Sequence, residues 1–369
     1  MELNYSPGLD GIIATETKLS FLDTVQSQIV IRGYDLIELS KRYSYLDIVH
    51  LLFNGEIPAI AQQNELKAIL KTNYQVPQEI FHIFKLLPKG THAMDGLRTG
   101  ISVLAGYDQQ IDDRSTEENL KRAFRLLGSM PNIVANSYRV LNGQEVVEPD
   151  SNLSYSANFF YMITGKKPTV LEEETFDQSL VLYSEHEMPN STFTARVIAS
   201  TQSDLYGALT GAVASLKGNL HGGANEAVMY MLLEAKTVEG FETLLQKKEK
   251  IMGFGHRVYM KKMDPRAQIM KEALSKLCLE HGDDLLYRMC EAGEKVMVQE
   301  KGLYPNLDYY AAPVYYMLGL PIEIYTPIFF SSRTVGLCAH VIEQHENNKL
   351  FRPRVHYMGE RHNLEEVTV

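Results

Sequence analysis

Residues 253–277 read GFGHRVYMKKMDPRAQIMKEALSKL. In the second half Ile269, Met270, Ala273, Leu274 and Leu277 recur at helical spacing, after an Asp264 suited to an N-cap and a Pro265 suited to the first helical position. In the first half Gly253, Phe254 and Gly255 lead into His256 and Arg257 on a glycine-flanked loop. Arg266 falls in the first turn of the helix, where free backbone N–H groups and the helix dipole favour an anion. A titratable imidazole beside an anion clamp points to a site that holds a carboxylate and does acid–base work on it.

Outward from this stretch, most of the chain reads as helix. Ser115-x-x-Glu118 has the form of a capping box, and Leu120, Ala123, Phe124 and Leu127 continue one apolar face. Gly222 and Gly223 precede a segment in which Ala224, Ala227, Val228, Met231, Leu232 and Ala235 keep helical spacing. Residues 206–216 (YGALTGAVASL) have the small side chains of a buried helix packed closely on a neighbour. Strand signals are few, and residues 19–23 and 28–31 are predicted to pair as a small hairpin. The fold class is therefore all-α, with no fixed repeat. Three glycines punctuate residues 217–223 (KGNLHGG), and Gly319, Pro321 and Pro327 mark a second break. These breaks predict a large domain of residues 1–217 plus 321–369 and an inserted, hinged small domain of residues 218–320.

At 369 residues the chain has room for both domains. Its net charge of −10 argues against nucleic acid and anionic membrane as partners, but not against small anions held by local arginines. Cys278, Cys290 and Cys338 form no CxxC pair and read as buried thiols in a reducing compartment. The start, Met1-Glu2-Leu3-Asn4, lacks the basic and apolar regions of a signal peptide, and no apolar run approaches the ~20 residues that span a bilayer. A cytoplasmic location is expected.

Most of the eleven histidines sit in helical or tail sequence and read as surface or satisfied-core residues. His186 in SEHEMPN (184–190), His221 in NLHGG (219–223) and His256 differ, having glycine or unusual polar neighbours. No metal is expected: His186-Glu187 lacks the HExxH continuation, and no second His or Cys lies near His221 or His256. Nor does Gly253-Phe254-Gly255 continue as GxGxxG, and no GxxxxGK[ST] occurs, which disfavours a nucleotide fold. Glycines there would still let backbone approach a bulky ligand. Asp308, in YPNLDYY (304–310), has an apolar and aromatic setting that would raise it toward a useful general base, or it is simply a helix-cap or turn aspartate. His221 lies just before a helix, whose N-terminus disfavours the imidazolium. A neutral imidazole can donate a hydrogen bond to a developing enolate. Arg333 and Arg352, each beside apolar residues, are further carboxylate forks.

At these residues the chain resembles the citrate synthase family nearly end to end. The blocks GLDGIIATET, IRGYDLIEL, MDGLRTGISVLAGYD, LSYSANFFYMITG, SEHEMPNSTFTARV, KGNLHGGANEAV, MGFGHRVY, DPRA, YPNLDYYAAPVY and FRPR look like the family's, in its order. Length and wording look most like the compact bacterial branch that contains both citrate and 2-methylcitrate synthases. The resemblance implies an all-helical homodimer whose small domain closes over substrate. It implies a condensation of acetyl-CoA or propionyl-CoA with oxaloacetate that needs no metal or redox cofactor. By resemblance His221, His256 and Asp308 are the catalytic trio. His186, Asn190, His256, Arg266 and Arg333 would hold oxaloacetate, with Arg352 reaching in from the partner subunit to a composite site. Leu220, Gly222, Gly223, Met252, Gly253, Phe254, Gly255 and Arg257 would face coenzyme A. The resemblance leans toward 2-methylcitrate synthase with citrate synthase activity, the alternatives being a dedicated citrate synthase and a non-catalytic acyl-CoA-binding protein. The spacing from His256 to Arg266 is one residue longer than the family's usual one.

Overall fold

The computed structural model describes residues 5–23, 25–247, 251–255 and 262–361. Three short strands, β1 (Ser20–Asp23), β2 (Gln28–Ile31) and β3 (Tyr34–Asp35), form an antiparallel sheet in that order. The expected hairpin is present, with Ser20 opposite Ile31 and Asp23 opposite Gln28. Leu22, Ile29 and Ile31 face inward while Phe21 is exposed, the alternation of a sheet with one wet face. The third strand carries too little sequence to signal itself.

The remaining regular elements among the described residues are helical. The first helices are α1 (Leu36–Arg42), α2 (Tyr45–Asn54), α3 (Ile60–Lys71), α4 (Gln78–Leu86) and α5 (Ala93–Ala105). They are followed by α6 (Thr116–Leu141), α7 (Tyr155–Thr164), α8 (Val170–Tyr183), α9 (Asn190–Ala199) and α10 (Leu205–Leu216). The rest are α11 (Ala224–Ala235), α12 (Val238–Lys247), α13 (Pro265–His281), α14 (Leu285–Val296), α15 (Leu307–Met317) and α16 (Tyr325–Glu346). No helix among the described residues is long and apolar enough to cross a membrane. Cys278, Cys290 and Cys338 are buried free thiols.

Local signals set several of these boundaries. The Asp264 carboxylate caps α13 by accepting the Arg266 N–H at 3.0 Å, with Pro265 at the first position. At α6 half of the expected box forms. The Ser115 hydroxyl accepts the Glu118 N–H, but the Ser115 N–H goes to Asp113 and the Glu118 carboxylate turns to Lys121. The small-residue helix α10 lies tight on α9: a methyl at Gly211 would fall 2.2 Å from Ile198 Cδ1. Helix α16 is the axis of the core. It is buried along most of its length, packs on α2, α6, α8, α9 and α10, and so carries Arg333 deep into the molecule.

Helices α11 to α15 pack largely on one another, α13 and α11 against α15, and α12 against α14. They meet the rest through α8, α1 and α16. The loop ahead of α13 is held to this group by Gly253, at φ +84°, where a methyl would meet Val228 Cγ2 at 2.6 Å and Tyr309 Cα at 3.2 Å. Gly253→Ala is expected to cost about 2–4 kcal/mol from left-handed strain plus overpacking and to lower the thermal midpoint by several degrees. An unchanged midpoint would mean that the loop opens away from Val228 without penalty.

Candidate active site

Two short segments set the geometry around Asp308. Residues 253–255 run antiparallel to 304–306, with a bridge between Phe254 and Pro305. The Gly255 N–H donates to the Tyr304 carbonyl at 2.8 Å and the Asn306 N–H to the Gly253 carbonyl at 2.9 Å. The Asn306 side chain ties the pair to α15: its Nδ2 donates to the Gly255 carbonyl, and its Oδ1 accepts the Asp308 N–H at 3.1 Å. Asn306 is thus the N-cap of α15. The bland alternative for Asp308, a capping carboxylate, does not describe it, because its Oδ1 instead accepts the Tyr183 hydroxyl proton at 2.6 Å. Burial holds the Asp308 carboxyl above its ordinary range, against the opposing pull of that hydrogen bond and of the Arg266 charge.

Arg266 stands at the start of α13, buried as the anion-clamp reading requires, but its fork already has a carboxylate. Its Nε and Nη2 donate to Asp264 at 3.1 and 2.7 Å, and Asp264 is fully buried. The sequence reading took Asp264 only for a cap, and the paired role was missed because one side chain performs both. Arg333 is also buried, its Nε donating to the Tyr183 carbonyl at 2.7 Å and its guanidinium 4.9 Å from the Phe329 ring centroid. Burial brings Arg333 down to about 10, with Glu185 opposing and the charge of nearby Arg266 adding to the shift. Arg266 and Arg333 thus disfavour one another's charge, a cost that a bound anion would offset.

His221 sits between α10 and α11, yet the helix end that governs it is that of α9. The Ser191 N–H, in the first turn of α9, donates to His221 Nε2 at 3.1 Å, and the Ser191 hydroxyl lies 2.9 Å from the same nitrogen. A backbone N–H can only donate, so Nε2 must carry a lone pair and the ring proton rests on Nδ1. Burial first, and the Arg333 charge second, push His221 down to about 4. The ring is accordingly neutral near pH 7, the state expected from its place just before a helix. In selectively ¹⁵N-labelled protein His221 is expected to show the Nδ1–H tautomer and to titrate about two pH units below an ordinary histidine. A midpoint near 6.5 would remove the argument for a permanently neutral donor.

His186 is buried in the loop between α8 and α9. Both flanks of it are braced from outside. The Ser20 hydroxyl donates to Glu185 Oε1 at 2.8 Å and accepts the Glu187 N–H at 3.1 Å. Fully buried His340 completes the brace: Arg196 Nε donates to its Nδ1 at 2.9 Å, leaving its Nε2–H for Glu185 at 3.1 Å. Asn190 opens α9, exposed, with Oδ1 accepting from the Ser215 hydroxyl at 2.6 Å. Tyr183, Ser191, Glu185 and Ser20 were not legible as site residues in the sequence, and Asp264 was legible only as a cap. Each acts through a partner distant along the chain or through a role already assigned.

The structure groups Asp308, Arg266, Arg333 and His221 by mutual electrostatic influence, with His186 on the adjoining loop. Arg352 is different: it lies exposed in the tail after α16. Of the residues expected to face coenzyme A, Leu220 is 95% exposed and Met252 half-buried. Phe254 packs inward on Tyr309, ring centroids 4.4 Å apart. Gly222 is buried against the Leu216 carbonyl, Gly223 takes φ +79° at the start of α11, and Gly253 and Gly255 also have positive φ. His256 and Arg257 lie outside the described residues, as does the part of the lengthened spacing that runs to Lys261. Among the described residues no group of three or more His, Cys, Asp or Glu side chains is placed to hold a metal ion.

Comparison with known proteins agrees over nearly the whole chain. A family model described as "Citrate synthase, C-terminal domain" matches residues 8–354. The chain is 70% identical over 361 residues to a citrate synthase of Heyndrickxia coagulans, covering 97% of each. It is 68% identical over 363 residues to a citrate/2-methylcitrate synthase of Bacillus subtilis (strain 168), covering 97% of this chain and 98% of the relative. Among solved structures it resembles, with a TM-score of 0.90 at 30% identity over 97% of both chains, a citrate synthase of Thermoplasma acidophilum in ternary complex with carboxymethyl coenzyme A and oxaloacetate.

Proposed function

The chain belongs to the citrate synthase family, and from that premise we propose that it condenses an acyl-CoA with oxaloacetate and releases coenzyme A, as a 2-methylcitrate synthase with citrate synthase activity. The observation that carries the proposal is the pairing of a neutral His221, its proton on Nδ1, with an Asp308 carboxylate above its ordinary range, both beside the buried Arg333. A thioester α-carbon is a weak acid, so a carboxylate base alone does not suffice. Asp308 takes the α-proton while His221 Nδ1–H stabilises the enol oxygen. The carbon nucleophile then attacks the keto carbon of oxaloacetate, polarised by His186 and His256. His256 protonates the new alkoxide, and the thioester intermediate is hydrolysed. Arg266, Arg333, Asn190 and the partner subunit's Arg352 hold the oxaloacetate. Leu220, Gly222, Gly223, Met252, Gly253, Phe254, Gly255 and Arg257 face coenzyme A, the glycines and inward-packed Phe254 by offering backbone.

The rest of the proposal concerns assembly and motion. The active form is a cytoplasmic homodimer with composite sites, working without metal or redox cofactor. Residues 218–320 form a small domain that closes on residues 1–217 plus 321–369 when oxaloacetate engages both Arg266 and Arg333, one in each proposed domain. Self-packing of α11 to α15 supports this division.

Thiol release measured with oxaloacetate and each acyl-CoA tests the activity and its preference together. Turnover of both substrates, with propionyl-CoA comparable to acetyl-CoA, is the expected result. Rejection of propionyl-CoA would make the enzyme a dedicated citrate synthase, since one methylene is worth ~1–3 kcal/mol in a pocket. No release with either, alongside intact acyl-CoA binding, would leave a non-catalytic binding protein.

A further inference from the structure

The Tyr183–Asp308 hydrogen bond joins two residues 125 positions apart, at 2.6 Å, and the proposed condensation assigns it no part. Tyr183 is the last residue of α8 and is fully buried. Its ring lies 4.6 Å, centroid to centroid, from that of Phe329, the ring that also supports the Arg333 guanidinium. Its hydroxyl donates to Asp308 Oδ1, while its peptide carbonyl accepts from Arg333 Nε at 2.7 Å. One residue therefore holds both the proposed base and one of the proposed carboxylate-binding arginines.

We propose that Tyr183 is a positioning residue of the condensation, which occupies Oδ1 of Asp308 so that Oδ2 is the oxygen that takes the α-proton. The inference rests on the assignment of Asp308 as base. In the step, the α-carbon–hydrogen bond breaks, the proton passes to Oδ2, and the electron pair moves to the thioester carbonyl oxygen. An ionised carboxylate with one oxygen held and its plane fixed presents the other oxygen as the freer acceptor, which narrows the approach to the substrate. The phenol stays protonated, because burial and the adjacent carboxylate hold its pKa well above the ordinary tyrosine value.

The hydroxyl also stabilises the carboxylate form, so its removal has a sign. Among the described residues, the charged and titratable groups facing Asp308 are Tyr183 from α8, Asp264 and Arg266 at the start of α13, Arg333 from α16, and Tyr315 on its own helix. Tyr183→Phe leaves the other four in place and keeps the ring that packs on Phe329. Loss of one hydrogen bond to the anion is expected to move the acid limb of the kcat/KM profile up by about one pH unit. It is also expected to lower kcat by roughly tenfold or more, the scale of a misplaced base, with the KM for oxaloacetate little changed. Replacing Tyr183 by 3-fluorotyrosine strengthens the donor at nearly constant size, and the acid limb is expected to move down.

Opposite shifts in the two variants, measured on protein whose oxaloacetate affinity is shown by calorimetry to be retained, would support the assignment. Profiles superimposable on the wild type in both, or a loss of thermal stability with no movement of the limb, would overturn it and leave Tyr183 a packing residue. If Tyr183→Phe does not fold, the fluorotyrosine protein decides alone, a stationary limb counting against the proposal. Asp308→Asn run in parallel separates the two levels. Retained turnover in that variant refutes the base itself, whereas lost turnover there with an unaltered Tyr183→Phe profile refutes only the positioning role.

Discussion

Asp308→Asn is expected to lower kcat by about 10²–10⁴-fold, the contribution of a positioned general base, while changing oxaloacetate affinity by less than about threefold. The amide is nearly isosteric, and its oxygen still accepts from the Tyr183 hydroxyl, so the bonds from Asn306 and Tyr183 that shape this end of α15 remain. What is lost is the ability to take a proton. Because the base acts on the acyl-CoA and not on the keto acid, the deficit belongs in kcat and kcat/KM together, and not in ground-state binding. Steady-state kinetics beside calorimetric titration with oxaloacetate provides the check. A variant turning over at the wild-type rate would return Asp308 to the status of a structural carboxylate and withdraw the proposed mechanism.

The second large effect is a gain. Arg352→Ala and Asp308→Asn chains, each nearly inactive as homodimers, are expected to recover activity when mixed and allowed to exchange subunits. Arg352 is exposed in the tail after α16, whereas Arg266 and Arg333 of its own chain are buried. In the proposed two-fold dimer each heterodimer would rebuild one site with Asp308 from one subunit and the partner subunit's Arg352. Random exchange makes half of the dimers mixed, so recovery should approach about a quarter of wild-type activity. Heterodimers detected by native mass spectrometry but without activity would put Arg352 in its own subunit's site, or in none.

Much of this architecture was legible from short-range patterns. Asp264 and Pro265 at the start of α13, the small residues of α10 and the alternation of β1 and β2 each depend on contacts within a few positions or on one repeating face. The same signals were less reliable where several local partners compete. Ser115 and Glu118 have the spelling of a reciprocal cap, yet Asp113 and Lys121 each take one half of it. His221 shows the other kind of gap: its neutrality was expected from the helix after it, whereas the bond that fixes its tautomer comes from the start of α9. The ring is neutral all the same because burial and the Arg333 charge disfavour its cation, while packing chose the helix end that fixes its tautomer.

Order along the chain, helix content, the cap of α13 and the identity of the chemical groups were determined by the sequence itself, since each is a property of residues and their near neighbours. Which groups share an environment was decided only by the tertiary structure. Glu185 bonds to His340 155 positions away and Arg333 to Tyr183 150 positions away. Desolvation, the leading cause of the shifts at Asp308, His221 and Arg333, arises only when distant helices exclude water together. A side chain's type is covalent and travels with the sequence; its dielectric surroundings and its hydrogen-bond partner exist only once the chain has packed.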